Sequence, residues 1–247
     1  MTRALADEQP NPEKSLAALE ESRRELESLT YTVAHDLRAP LRTIDGFARA
    51  LSEDCGDLLD ADGRRYLQHV LDAAQRMSGM LEGLLSLARI HRAEFHPVVV
   101  DISAAARRIL DQLRAAEPAR TIEVVIPDGI AAEADAALLT AALEALLHNA
   151  WKFTRDRDPA RIEVGVQPGI PAVYFVRDNG VGFDTRYAGK LFSPFQRLHS
   201  EREFAGAGIG LAAAQGIIRR HGGRVWAQAA PDRGATFYFT LAEEPHA

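Results

Sequence analysis

His35 is followed by Asp36 within Tyr31-Thr32-Val33-Ala34-His35-Asp36-Leu37-Arg38-Ala39-Pro40-Leu41. An imidazole on a helix surface can act as nucleophile or proton carrier, although a lone exposed histidine is also an ordinary surface residue. Asn149, Lys152 and Phe153 close the apolar run Leu146-Leu147-His148-Asn149-Ala150-Trp151-Lys152-Phe153-Thr154. The Asn149 carbonyl oxygen suits a hard cation such as Mg2+ and Lys152 suits a phosphate, while Asn149 taken alone reads as a helix C-terminal cap. Asp178 ends an apolar stretch and precedes Asn179-Gly180-Val181-Gly182-Phe183. Its carboxylate can accept from the amino group of a purine, and Gly180 and Gly182 let backbone approach a flat ring, although Asp-Asn-Gly alone is a tight turn. Gly206-Ala207-Gly208-Ile209-Gly210-Leu211 opens an apolar helix. Free amides at such a helix start attract a phosphate.

These groups need elements to carry them. Residues 1–14, with Pro10 and Pro12, read as a linker. From Leu16, the residues Leu16, Leu19, Leu26, Val33, Leu37, Ile44 and Leu51 trace one stripe of a long amphipathic helix. His35 is two residues from Val33, about 200° around the helix, so it faces away from that stripe. Pro40 frees the carbonyl of Asp36 and is expected to bend the helix one turn beyond the histidine. A break at residues 55–63 precedes a second helix whose Tyr66, Val70, Ala73, Met77, Met80, Leu84, Leu87 and His91 alternate spacings of four and three. Two helices bury too little by themselves, so residues 15–95 are predicted to form a hairpin that pairs as a homodimeric four-helix bundle.

His96-Pro97 marks a boundary to a second domain, residues 96–247. Strands are predicted at 98–100, 122–126, 162–166, 173–176, 225–229 and 236–241, with helices at 103–115, 136–151 and from the glycine run to about 218. The order indicates an α/β sandwich (α+β), with helices on one face of a mixed sheet.

Bulk properties remove several function classes. The 247 residues carry a formal net charge of -6, which argues against a nucleic acid partner. A single cysteine, Cys55, rules out an internal disulfide and a thiolate metal cluster and points to a reducing, cytoplasmic setting. No apolar run reaches the roughly 20 residues of a membrane span, so any anchor or sensor domain is expected upstream or in a separate protein.

The stretch Tyr31–Leu41 resembles the phosphoacceptor box of sensor histidine kinases, especially their phytochrome-like group. The Asn149, Asp178 and Gly206–Leu211 stretches, together with Leu191-Phe192-Ser193-Pro194-Phe195-Gln196-Arg197-Leu198-His199 and Gly234-Ala235-Thr236-Phe237, are similar to the nucleotide boxes of Bergerat-type ATPase domains. The resemblance implies that ATP and Mg2+ are bound by Asn149, Lys152, Phe153, Asp178, Gly180, Gly182, Gly206, Gly208, Gly210, Leu211 and Thr236, with Asn149 on the metal. It further implies that His35 attacks the γ-phosphorus with Asp36 as helper, that residues 184–210 form a lid anchored by Phe192 and Phe195, and that an aspartate of a response regulator receives the phosphoryl group. Three departures from the family pattern stand out. Ala39 replaces the Thr or Asn that positions a hydrolytic water, so phosphatase activity is expected to be weak. Ala145 stands where relatives carry Asn or the water-activating Glu, which disfavours a hydrolytic ATPase, and Ala207 removes a hydroxyl near phosphate. A degenerate ATP-binding scaffold or a Bergerat-type ATPase are the alternative readings.

Overall fold

The computed structural model describes residues 12–92, 94–196 and 208–242. Two long helices come first, α1 (Pro12–Cys55) and α2 (Ala61–Arg92), joined by a short 3-10 turn at Gly56–Leu58. The first begins earlier than predicted, at Pro12, because proline is well tolerated in an opening turn where its missing N–H is not needed. It runs without interruption through Pro40, and one turn on the Thr43 hydroxyl donates to the Ala39 carbonyl at 3.2 Å.

The buried face of this hairpin differs from the predicted one. Ala34, Leu41 and Ala48, seven residues apart, are buried on α1, as are Leu67, Ala74 and Leu85 on α2. Most of the predicted stripe is left outside, with Val33 at 53%, Leu37 at 44%, Ile44 at 50% and Met77 at 48% exposure, while Ala73 and Leu84 are part-buried. The side chains of Leu16, Leu19, Leu26, Leu87 and His91, also assigned to that stripe, lie outside the described residues. Each helix therefore carries two apolar faces. Alanines interleaved with leucines let α1 and α2 approach each other, and the aliphatic residues of the other stripe stay exposed within one chain.

After the hairpin comes β1 (Pro97–Asp101), which pairs antiparallel with β3 (Ala131–Asp135). The intervening α3 (Ile102–Ala116) starts at Asp101, whose carboxylate accepts the Ala104 amide at 2.8 Å. The main sheet has the order β2-β4-β5-β7-β6, formed by β2 (Ile122–Val125), β4 (Ala160–Gln167), β5 (Val173–Asp178), β6 (Val225–Ala229) and β7 (Ala235–Phe239). Only β2 and β4 run parallel, so the sheet is mixed.

Among the described residues the α-helices that follow the hairpin are α3, α4 (Ala136–Phe153) and α5 (Gly210–Arg220), with a 3-10 turn at Thr185–Lys190. The core joins Ile109 and Leu110 of α3 and Leu139, Leu143, Leu146 and Leu147 of α4 to Ile162, Val164, Val176, Phe237 and Phe239 of the sheet. Each fully buried aliphatic side chain of this kind contributes on the order of 2 kcal/mol. A smaller cluster of Leu138, Ala142, Ala214 and Ile217 takes in Ile90 from the end of α2. Among the described residues no helix is long and apolar enough to cross a membrane.

Candidate functional site

α4 is the spine of the site. Its start is fixed by Asp135, whose carboxylate accepts the amides of Ala137 and Leu138. Its end is clamped by Arg120, which donates to the Trp151 carbonyl at 2.6 Å and the Thr154 hydroxyl at 2.8 Å. The guanidinium also stands 4.5 Å from the Trp151 ring, while the indole N–H donates to Glu117 at 3.0 Å. Asn149 is thus presented on a fixed last turn. It is half-buried, and among the described residues its side-chain amide has no hydrogen-bond partner. Lys152 stands with Nζ 4.2 Å from the Phe153 ring.

The Asp178 turn is tied directly to that helix end. The Val181 amide donates to the Phe153 carbonyl at 3.2 Å, and a Cβ on Gly180 would stand 2.5 Å from the same oxygen. Gly182 has φ +61° and would meet the Ala230 carbonyl at 2.0 Å if it carried a Cβ, so glycine is required for this approach. Arg157 braces the turn from outside, donating to the Gly180 carbonyl at 3.1 Å and to Asp232 at 3.0 Å. Asn179 has a structural role, accepting from the Arg161 amide and donating to the Pro159 carbonyl, each at 2.8 Å.

Asp178 is buried, and its carboxylate accepts from the amides of Gly180 at 2.8 Å and Ala235 at 3.3 Å. Burial pushes its pKa up to about 6, against the pull of those two amides. A buried carboxylate with spare acceptor capacity, beside backbone that glycine keeps open, is suited to the amino group of a flat base.

The start of α5 closes the opposite side. A Cβ on Gly210 would stand 3.6 Å from the Ala145 Cβ, one turn before Asn149, so the small Ala145 allows the two helices to meet. Among the described residues no side chain caps the first turn of α5 at Ile209, which leaves its amides for an anion. Gly208 has φ +71° and accepts the Phe195 amide at 3.0 Å, joining the phenylalanine stretch to the glycine stretch. Leu211 packs against the core. Gly206, Ala207 and the Arg197-Leu198-His199 end of the phenylalanine stretch lie outside the described residues.

Two expected residues sit elsewhere. Thr236 pairs across the sheet with Arg177 and accepts its Nε–H at 3.3 Å. Its side chain therefore points to the face opposite Asp178, because neighbouring residues on a strand alternate sides. Phe192 is buried edge-on against Phe237, whereas Phe195 is exposed and adopts φ 64°, so only the first anchors the segment.

On the hairpin, His35 is exposed and its Nδ1 lies 3.2 Å from Oδ1 of Asp36, with the Tyr31 ring stacked at 6.4 Å. A carboxylate accepts, so in the neutral ring this contact favours the tautomer with the proton on Nδ1 and the lone pair on Nε2. Sequence reasoning missed Arg120, Arg157 and His221, which act through partners far along the chain, and Asp135, whose place just before the apolar helix is a local N-cap signal that could have found it.

Comparison with known proteins matches both domains. Residues 25–93 match the His Kinase A (phospho-acceptor) domain, and residues 134–245 match the Histidine kinase-, DNA gyrase B-, and HSP90-like ATPase family. Cyanobacterial phytochrome B of a Nostoc species is 33% identical over 91% of this chain and 30% of its own length. The methanogenesis regulatory histidine kinase FilI of Methanothrix harundinacea is 36% identical over 93% of this chain and 26% of its own. The chain thus spans less than a third of these relatives. ShkA, solved full-length in complex with AMPPNP, shares the fold with a TM-score of 0.59 at 24% identity, covering 88% of this chain and 47% of that one. With a phosphoacceptor hairpin and an ATPase domain in one polypeptide, the chain belongs to the sensor histidine kinases.

Proposed function

We propose that this chain is an ATP-dependent protein-histidine autokinase of a two-component system, which phosphorylates His35 and passes the phosphoryl group to an aspartate of a response regulator. The observation that carries the reading is the arrangement of His35, with Nδ1–H held by Asp36 and Nε2 bare, in the same chain as the pocket built around α4. In the reaction Nε2 forms a bond to the γ-phosphorus of ATP while the bond from that phosphorus to the β,γ-bridging oxygen breaks, and ADP leaves. Asp36 holds the Nδ1 proton and stabilises the positive charge that grows on the ring.

Asp178 would take the adenine amino group, Phe153 would lie near the base, and Gly208, Gly210 and the start of α5 would face the phosphates. Among the described residues no group of three acidic, histidine or cysteine side chains could hold a metal by itself. Asn149, a single neutral oxygen donor, therefore fits Mg2+ in the form that draws the rest of its shell from water and phosphate. When bound, that ion neutralises charge on the phosphates. The exposed apolar stripes of α1 and α2 support a homodimer in which two hairpins form a four-helix bundle. The lone cysteine supports a cytoplasmic setting.

Incubation with γ-labelled ATP tests the reading. Acid-labile label on the protein, absent from His35→Ala, is the expected result. Bound but untransferred ATP would indicate a scaffold instead, and steady release of free phosphate would indicate an ATPase.

A further inference from the structure

The segment that joins the hairpin to the ATPase domain is gripped by a side chain remote from the nucleotide pocket. His221 follows the last turn of α5, and its Nδ1 lies 2.8 Å from the Ile217 carbonyl. A carbonyl only accepts, so Nδ1 carries the proton. Nε2 is then bare and accepts the backbone N–H of Asp135 at 3.0 Å. The Asp135 carboxylate in turn accepts the His96 amide at 3.1 Å, besides capping α4. The Phe95 ring stands edge-on to the imidazole at 4.8 Å and 75°. Arg220, the preceding residue, lies 5.8 Å from the Phe95 ring and donates to the Ile90 carbonyl in the last turns of α2. Residues 90, 95 and 96 are thus all held by one corner of the ATPase domain.

That corner is continuous with a seam between α2 and α5. Gly83 and Ile90, seven residues apart, share a face of α2. A Cβ on Gly83 would come within 2.3 Å of Ile209, and Ile90 is buried against Ala214 and Ile217. His35 lies twenty residues before the end of α1 and Leu81 twenty residues after the start of α2. In an antiparallel hairpin the two are level, so Gly83 and the start of α5 lie about 3 Å further along the axis than His35.

We infer that His221 is a positioning residue for phosphoryl transfer: by clasping Asp135 and Phe95 it fixes the linker, and with it the height at which the start of α5 is presented to His35. This rests on the reading of His35 as phosphoacceptor. His221 touches neither ATP nor His35, because α5 separates it from the glycine turn by about 15 Å. Its effect is on the fraction of molecules in reactive geometry.

Two variants of the full chain separate the elements of the clasp. His221→Phe keeps a ring against Phe95 but has no acceptor for the Asp135 amide, whereas His221→Gln can return an acceptor oxygen to the place of Nε2. With saturating ATP, labelling of His35 is expected to fall about tenfold in His221→Phe, with ATP affinity unchanged, and to recover in His221→Gln. Hydrogen exchange of peptides covering residues 94–96 and Asp135 is expected to quicken in His221→Phe alone. Labelling equal to or faster than that of the unmodified chain would overturn the inference, as would ATP affinity falling in step with the rate. If His221→Phe does not fold, Phe95→Ala must give the same loss of rate at unchanged affinity, and no loss there overturns it. An unmodified chain that binds ATP without labelling His35 would refute the kinase reading, and the exchange measurement would still decide whether the clasp holds the linker.

Discussion

Gly83 on α2 and Ile209 at the start of α5 are in such close contact that a methyl group added to the glycine would stand 2.3 Å from the isoleucine side chain. The contact joins the hairpin to the residue just before the first turn of α5. Gly83→Val is therefore expected to push the ATPase domain off the hairpin while leaving the nucleotide pocket intact. Autophosphorylation should slow at saturating ATP with no change in ATP affinity, and small-angle scattering should report a more extended particle. Unchanged kinetics and shape would show that the seam is dispensable.

Asp178 predicts a pH dependence of ATP binding. Its folded pKa of about 6 lies above the ordinary 3.8, and the ionised form is the stronger acceptor for an amino group, since protonation turns one oxygen into a donor. Affinity should rise with pH through about 6 and be about tenfold weaker at pH 5 than at pH 7.5. Calorimetric titration across that range is the measurement, and Asp178→Asn should flatten the profile.

The same residue lowers the stability of the empty protein. The folded state holds the proton more tightly than the unfolded chain, so stability declines as pH rises from about 4 to about 6. Above that window the buried ionised carboxylate costs about 3 kcal/mol. Asp178→Asn should accordingly resist urea better than the unmodified chain at pH 7.5 while binding ATP less tightly. An Asn variant that is less stable at that pH would contradict the account.

Oδ1 of Asp36 lies 3.2 Å from Nδ1 of His35, and the proposed reaction uses Nε2 as the nucleophile. Asp36→Asn removes the charge that favours the tautomer with the proton on Nδ1 and is expected to slow phosphorylation about a hundredfold without altering ATP binding. Loss of ATP binding in this variant would place Asp36 in another role.

The exposed stripe containing Val33, Leu37, Ile44 and Leu51 is expected to form the dimer contact. Ile44→Glu should shift the mass measured by light scattering from dimer to monomer, because a carboxylate buried between hairpins lacks a partner. A monomeric mass for the unmodified protein would dismiss the four-helix bundle.

Ala39, four residues after His35, has no group that could orient a water. Dephosphorylation of a phosphorylated receiver domain by this chain is expected to be slow, and Ala39→Thr should accelerate it. Rapid dephosphorylation by the unmodified chain would count against this role for position 39.

Local patterns made much of the molecule legible. The helix and strand series and the glycine turns follow from spacing and from residues whose backbone freedom is unusual, such as Gly182 at φ +61°. The Ala131–Asp135 strand was hidden, because Ala-Ala-Glu-Ala-Asp contains no strand former and is extended only by pairing with β1. Periodicity detected apolar stripes on α1 and α2 but could not say which stripe meets which partner. The burial of Ala34 and Ala48 against α2 is a property of two helices together.

The sequence by itself singled out the candidate groups, since His35-Asp36, Asn149, Asp178 and the glycines near 208 are short-range features. Only the tertiary structure decided their surroundings: Thr236 turned onto Arg177, Phe195 left exposed, and His221 joined to Asp135 across 86 residues. Contacts between distant segments depend on how strands register and helices cross, and no local pattern specifies either.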